Sequence, residues 1–195
     1  PGAQLYLVDT LQASVAEGFL VYEAIRQRDK GLSAEEMVKW AEEARYFIDA
    51  EFMVEDLDAL RRGGRIPASV AFAGTKLDVK PLLNITLDGK LALTGVARGR
   101  KKGIKQLAEY YAKHVADEGA ARFAVIGNAD CQKDAERLKE ALSKIDENIL
   151  FLVSSIGPVI GSHVGPGMLA VVFWGKDRRE ELSVADRIAR KVKGN

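Results

Sequence analysis

Short, nearly continuous apolar runs alternate along this chain with longer stretches in which apolar residues recur every three or four positions. The runs read as strands buried on both faces and the spaced stretches as amphipathic helices. LYLVDT at 5–10, FIDAEFMVE at 47–55, FAVIGNA at 123–129, ILFLVSS at 149–155 and MLAVVFW at 168–174 are the strand candidates. VKPLLNITLDGKLALTGVA at 79–97 adds two more, joined at Asp88-Gly89, a dipeptide that favours a tight hairpin. A strand as apolar as 5–10 requires sheet neighbours on both sides.

Helices are expected over 16–29, with Phe19, Leu20, Ala24 and Ile25 on one face, and after Ser33, an N-cap followed by Glu35 and Glu36 in the first turn. Further helices are expected over 55–62, stopped at Gly63 and Gly64, over 101–118, with Ile104, Leu107, Ala108 and Tyr111 inward, and over 130–144. Alternating strands and helices predict an α/β layered fold around a mixed sheet, parallel in part and antiparallel at the hairpin. The tail from Asp177 to Asn195 reads as a charged helix with Leu182, Val184, Ile188 and Val192 at its apolar positions.

Composition narrows the function classes. At 195 residues and 47% hydrophobic content the chain can bury a core, and 29 basic residues against 28 acidic ones give no overall signature of nucleic-acid binding. Affinity for any ligand therefore rests on a local site. The single cysteine, Cys131, excludes an internal disulfide framework and a multi-cysteine zinc site, and fits a reducing compartment. No run is long enough for a membrane span and no secretory leader is evident, so a cytoplasmic location is expected. The G-x-S-x-G elbow, the H-E-x-x-H zinc pattern and the phosphate-loop signature are all missing, so neither a metal nor a nucleotide cofactor is expected.

Four segments carry candidate chemistry. RRGGRIP at 61–67 ends a helix and offers Arg65, whose planar fork suits a carboxylate or phosphate; a plain glycine stop with an exposed arginine is the alternative. ARGRKKG at 97–103 places Arg98, Arg100, Lys101 and Lys102 where a strand meets a helix N-terminus, either a focused positive patch or a solvated basic turn. VDTLQAS at 8–14 puts Asp9, Thr10 and Ser14 after a strand, at a crevice or as helix caps. IGPVIGSHVGPGML at 156–169 wraps four glycines and two prolines around His163, one of only two histidines, with Ser162 beside it. These residues dictate a shaped loop, in which His163 either binds a ligand or satisfies a buried carbonyl.

The order of these segments, VDT-x3-S-x3-G, LRRGGRI, a KPLL strand with a D-G turn, VARGRKKG and G-S-H-x-G-P-G, resembles the DegV family of bacterial fatty-acid-binding proteins over residues 5–175. The resemblance implies a DegV-like two-domain architecture and a single bound long-chain fatty acid, with no enzymatic activity of its own. A separate fatty acid kinase catalytic subunit would convert the presented acid to an acyl phosphate for phospholipid synthesis. On this basis His163 and Arg65 contact the carboxylate with help from Ser162 and Ser14, while Arg98, Arg100, Lys101 and Lys102 face a phosphate or the kinase. Val70, Ala71, Phe72, Leu77, Ile85, Met168 and Leu169 are candidates to line the acyl tunnel, core packing being the alternative for each. No nucleic-acid partner is implied. Lipid sensing by a regulatory protein and a hydrolase or phosphotransferase using His163 remain the alternatives. The T-D-S, T-S-x-P and S-S-x-L-S-G-T segments of the family are missing from this sequence. Residues 1–56 are therefore read as the last part of an N-terminal domain, 57–176 as the C-terminal domain and 177–195 as an added helix, in a chain shortened at its N-terminus.

Overall fold

A computed structural model describes residues 2–67, 78–116 and 122–180, together with 183, 185, 188 and 192. Val70, Ala71, Phe72 and Leu77, and most of the expected C-terminal helix, lie outside the described residues. Six strands form one mixed sheet: β1 Ile48–Met53, β2 Val79–Ile85, β3 Leu91–Arg98, β4 Phe123–Asn128, β5 Leu150–Ser155 and β6 Leu169–Trp174. Their order is β3-β2-β1-β6-β4-β5, with β4 and β5 parallel and every other pair antiparallel. The α/β layering and the hairpin at Asp88-Gly89 are as the sequence predicts. All six residues of β1 are buried, as its place between β2 and β6 requires. The expected boundary at 56/57 falls just after this strand, whose hydrogen-bonded neighbours both lie beyond it.

Helices cover the two faces. α1 Val15–Asp29, α2 Ala34–Ala44, α3 Asp58–Arg62 and α6 Pro158–Val164 lie on one side; α4 Arg100–His114 and α5 Gln132–Ser143 lie on the other. α2 begins with a complete capping box, the Ser33 hydroxyl accepting from Glu36 N–H and the Glu36 carboxylate accepting from Ser33 N–H. On α4 the expected stripe of Ile104, Leu107, Ala108 and Tyr111 is buried in a core with Leu138, Leu142, Leu169 and Phe173. No helix among the described residues is long and apolar enough to cross a membrane.

Four local expectations are corrected. LYLVDT is not a strand: Leu5 and Leu7 are 85% and 84% exposed, and no strand of the sheet pairs with the segment. An apolar run without a hydrogen-bonding neighbour has nothing to hold it extended. Ile25 faces solvent, and the buried stripe of α1 runs through Ala16, Phe19, Leu20 and Glu23. α3 starts at Asp58, three residues later than expected, because Glu55 is engaged by Lys80 and Arg100 before the helix begins. The segment around His163 is a two-turn helix flanked by loops: Pro158 occupies the first turn, where its missing N–H costs nothing, and Gly165 closes the end at φ 74°.

Candidate functional site

The face of the sheet beneath α1, α3 and α6 carries small side chains at alternate positions. Ala50 and Phe52 of β1 stand beside Val172 and Ala170 of β6, their register partners. Ala50 and Ala170 leave space that the overlying helices do not fill, and a cavity of ≈ 290 Å³ opens there. Its floor is Ala50, Phe52, Ile85, Ala170 and Val172, and Leu60, Ile160 and Val164 wall it from α3 and α6. Polar groups enter through Ser14, Arg65 and His163, three residues from separate segments that converge on this one space. Such an apolar pocket with a few convergent polar groups is the usual form of a small-molecule site.

Each polar group is held by its own local structure. Ser14 precedes α1 at φ 57° and ψ −130°, a conformation that disfavours a side chain with a Cβ, and its hydroxyl makes no capping bond. The hydroxyl therefore stays available beside the N-terminal turn of α1, where Val15 and Ala16, with Ala13 before the cap, also line the cavity. The positive end of the α1 dipole favours an anion at this position. Arg65 is exposed, with its backbone N–H donating to Leu60 O (2.9 Å) and Nη1 donating to Gly63 O (2.6 Å). The rest of its fork remains for a ligand.

His163 sits in the last turn of α6, half-buried, and its ring makes no hydrogen bond to protein among the described residues. The ring packs directly on α3: a Cβ on Gly63 would lie 2.5 Å from His163 Nδ1. The two glycines of RRGGRI thus have different tasks, Gly63 admitting the imidazole and Gly64 turning the chain at φ 69°. Gly63 carries signal that the sequence reading took only for a helix stop.

The remaining predicted residues divide. Ser162 is exposed and donates to Val159 O (2.8 Å) within its own helix, away from the cavity lining. Arg98, Lys101 and Lys102 are exposed, whereas Arg100 turns inward. Its guanidinium pairs with Asp134 and Glu55 and donates to Gly167 O (2.8 Å). Burial opposes ionisation of Asp134, yet hydrogen bonds from Arg100 and Arg137 hold its carboxyl below the usual carboxylate range. Arg100 therefore clamps the segment after β1, α5 and the loop before β6. Of the expected tunnel residues, Ile85 and Met168 line the cavity, while Leu169 points to the opposite face and is fully buried in the α4–α5 core. The period of two in β1 and β6 marks Ala50 and Ala170 as partners on the cavity face, a signal the motif reading passed over.

Asp9 and Thr10 accept from Leu11 N–H (3.0 Å) and Gln12 N–H (3.2 Å), shaping the turn that leads into Ser14. Among the described residues no cluster of histidine, cysteine and carboxylate side chains could hold a metal ion.

The sequence profile described as "uncharacterised protein, DegV family" matches residues 1–176. The chain belongs to the DegV family. A DegV domain-containing protein of Clostridium perfringens is 38% identical over 175 residues, which are 90% of this chain and 60% of that protein. The chain spans about 60% of the length of the DegV relatives it matches. A solved DegV family structure from Thermus thermophilus, described by its fatty acid binding, superposes with a TM-score of 0.76 at 30% identity, covering 88% of this chain and 61% of that one. The fatty acid kinase B3 protein of Streptococcus pneumoniae, solved with linoleic acid, shares the fold with a TM-score of 0.77 at 20% identity, covering 89% of this chain and 60% of that one.

Proposed function

We propose that this DegV chain binds one long-chain fatty acid, its carboxylate at the edge formed by Ser14, Arg65 and His163 and its acyl chain along the apolar floor. The observation that carries the reading is the convergence of these three polar residues on one apolar cavity. Each buried CH₂ of an acyl chain contributes roughly 0.8 kcal/mol, so the floor supplies most of the affinity. The carboxylate cannot leave water without donors, and the serine hydroxyl, the guanidinium fork and the imidazole N–H are donors of the required kind. The partner in this reading is a fatty acid kinase that phosphorylates the presented carboxylate, and the exposed Arg98 would meet it or its phosphates.

Organic extraction of the protein purified from a bacterial host, followed by mass spectrometry, tests the binding. Release of fatty acid in proportion to protein is expected. Protein that yields none, and that also takes up neither oleate nor palmitate, would overturn the proposal.

A further inference from the structure

A wide surface groove lies on the other side of the sheet from the cavity, between α4 and α5, with a volume of ≈ 1190 Å³. Its floor is apolar and shallow: Ile104, Ala108 and Ala112 follow one another at intervals of four along α4, and Ala141 and Ile145 face them from α5 and the turn after it. Ile145 is 43% exposed, so this apolar surface is open to solvent. The walls are basic. Lys101, Lys102, Lys105, Arg137 and Lys144 stand against only Glu109 and Glu140.

Two of the cations are already paired, Lys105 with Glu109 at 3.0 Å and Arg137 with Asp134 at 2.7 Å. Lys101, Lys102 and Lys144 make no ion pair among the described residues, and they flank the apolar floor from both helices. Basic walls around an apolar floor complement a ligand that is apolar along one stripe and acidic on either side.

We infer that the groove between α4 and α5 docks an acidic amphipathic helix of a protein partner. Alanines at the floor let a third backbone approach two packed helices closely, and its side-chain ridge can enter the furrow between them. From Ile104 to Ala112 the floor extends about 12 Å, enough for two turns of a bound helix at 1.5 Å rise per residue. Such helix-in-groove recognition reads apolar anchors on one face of the ligand, with charge pairing at the rim setting partner choice. A nucleic acid would leave the apolar floor without a task, and a bilayer surface could not follow a concave groove. Because the groove and the fatty-acid cavity lie on opposite faces, occupancy of one leaves the other open.

The test is fluorescence anisotropy with a labelled peptide of roughly 18 residues, long enough for a helix, bearing a leucine stripe flanked by glutamates. A scrambled peptide of the same composition, phosphatidylglycerol vesicles and oligothymidylate serve as competing probes. Saturable binding is expected, about tenfold or more tighter than the scramble and weakened by added salt. Lys101→Glu/Lys102→Glu/Lys144→Glu should abolish it, the corresponding triple arginine variant should retain it, and Ala112→Glu should weaken it. Equal binding of the scramble, indifference to the charge reversal, or preferential binding of vesicles or oligothymidylate through the same lysines would overturn the inference. Oleate uptake by the triple glutamate variant should match the parent protein, which separates this result from any failure of the cavity.

Discussion

On the α4–α5 side of the sheet large side chains meet and fill the interior, whereas on the α1–α3–α6 side a space stays open, although the same strands supply both floors. Leu107, Leu138, Leu169 and Phe173 are all 0% exposed on the first side. Ala50 and Ala170 occupy equivalent depths on the second and line the cavity. The difference comes from side-chain size at alternate positions of β1 and β6, so one register produces a packed core and a pocket together.

Core truncation is the strongest way to break this comparison. Leu107→Ala should cost about 2–5 kcal/mol, because its neighbours cannot collapse into the void. Ile160→Ala, at the wall of an existing cavity, should cost about 2 kcal/mol, the lost transfer energy without a new-cavity cost. Urea midpoints of the two variants compare them directly, and equal losses would remove the distinction between the faces.

The packed side also buries two carboxyl groups, Asp49 and Glu51, on β1. A bulge in β3 leaves Thr94 without a partner in β2 and lets its hydroxyl donate to Glu51 Oε1 at 2.7 Å. Burial pushes the Glu51 carboxyl up to about 7, with the Thr94 hydrogen bond opposing the rise and nearby Asp49 adding to it. The folded chain thus holds a proton that the unfolded chain has released. The associated stability is complete below pH 4.5 and is lost as pH rises through about 7, a loss of roughly 3 kcal/mol from this group. Glu51→Gln removes the titration, so thermal melts of variant and parent should diverge between pH 4.5 and about 7. Parallel profiles would contradict the buried acid.

Two arginines sharpen the comparison further. Arg100→Met leaves Asp134 and Glu55 without their shared cation and should lower stability by about 2 kcal/mol, with oleate affinity retained. Arg65→Met should leave the melting temperature in place and weaken oleate binding by about tenfold, the expected loss of a charge-assisted contact. Calorimetric melts and oleate titrations of both variants separate the roles. A reversed pattern would exchange them.

The smallest expected effect belongs to Gly63. Its φ of −76° suits alanine, so Gly63→Ala should not destabilise α3, but the added methyl must displace the His163 ring. A loss of about fivefold in oleate affinity, roughly 1 kcal/mol, with an unchanged melt is the predicted signature.

Much of this arrangement is legible in the sequence because it follows local rules. The hairpin at Asp88-Gly89, the capping box at Ser33 and the inward stripe of α4 each depend on neighbours in the chain. What failed depended on partners distant in sequence. LYLVDT has strand composition but no strand to pair with, and Arg100 has the exposed look of its neighbours until Glu55 and Asp134, remote in the sequence, approach it. Three of the four expected carboxylate-contacting residues line the cavity, Ser162 being the exception because a helical turn directs its hydroxyl to Val159 O. Glycine and proline density announced a shaped segment around His163 without revealing that the shape is a helix, since Pro158 and Gly165 suit helix ends as well as loops.

The central claim, that the polar edge of the cavity receives a carboxylate, is tested most directly by the ratio of affinities for oleate and methyl oleate. The ester keeps the acyl chain and removes the charge. Oleate should bind about tenfold to a hundredfold more tightly, matching the loss of charge-assisted hydrogen bonds. Equal affinity for acid and ester would contradict the assignment of Ser14, Arg65 and His163 to the head group.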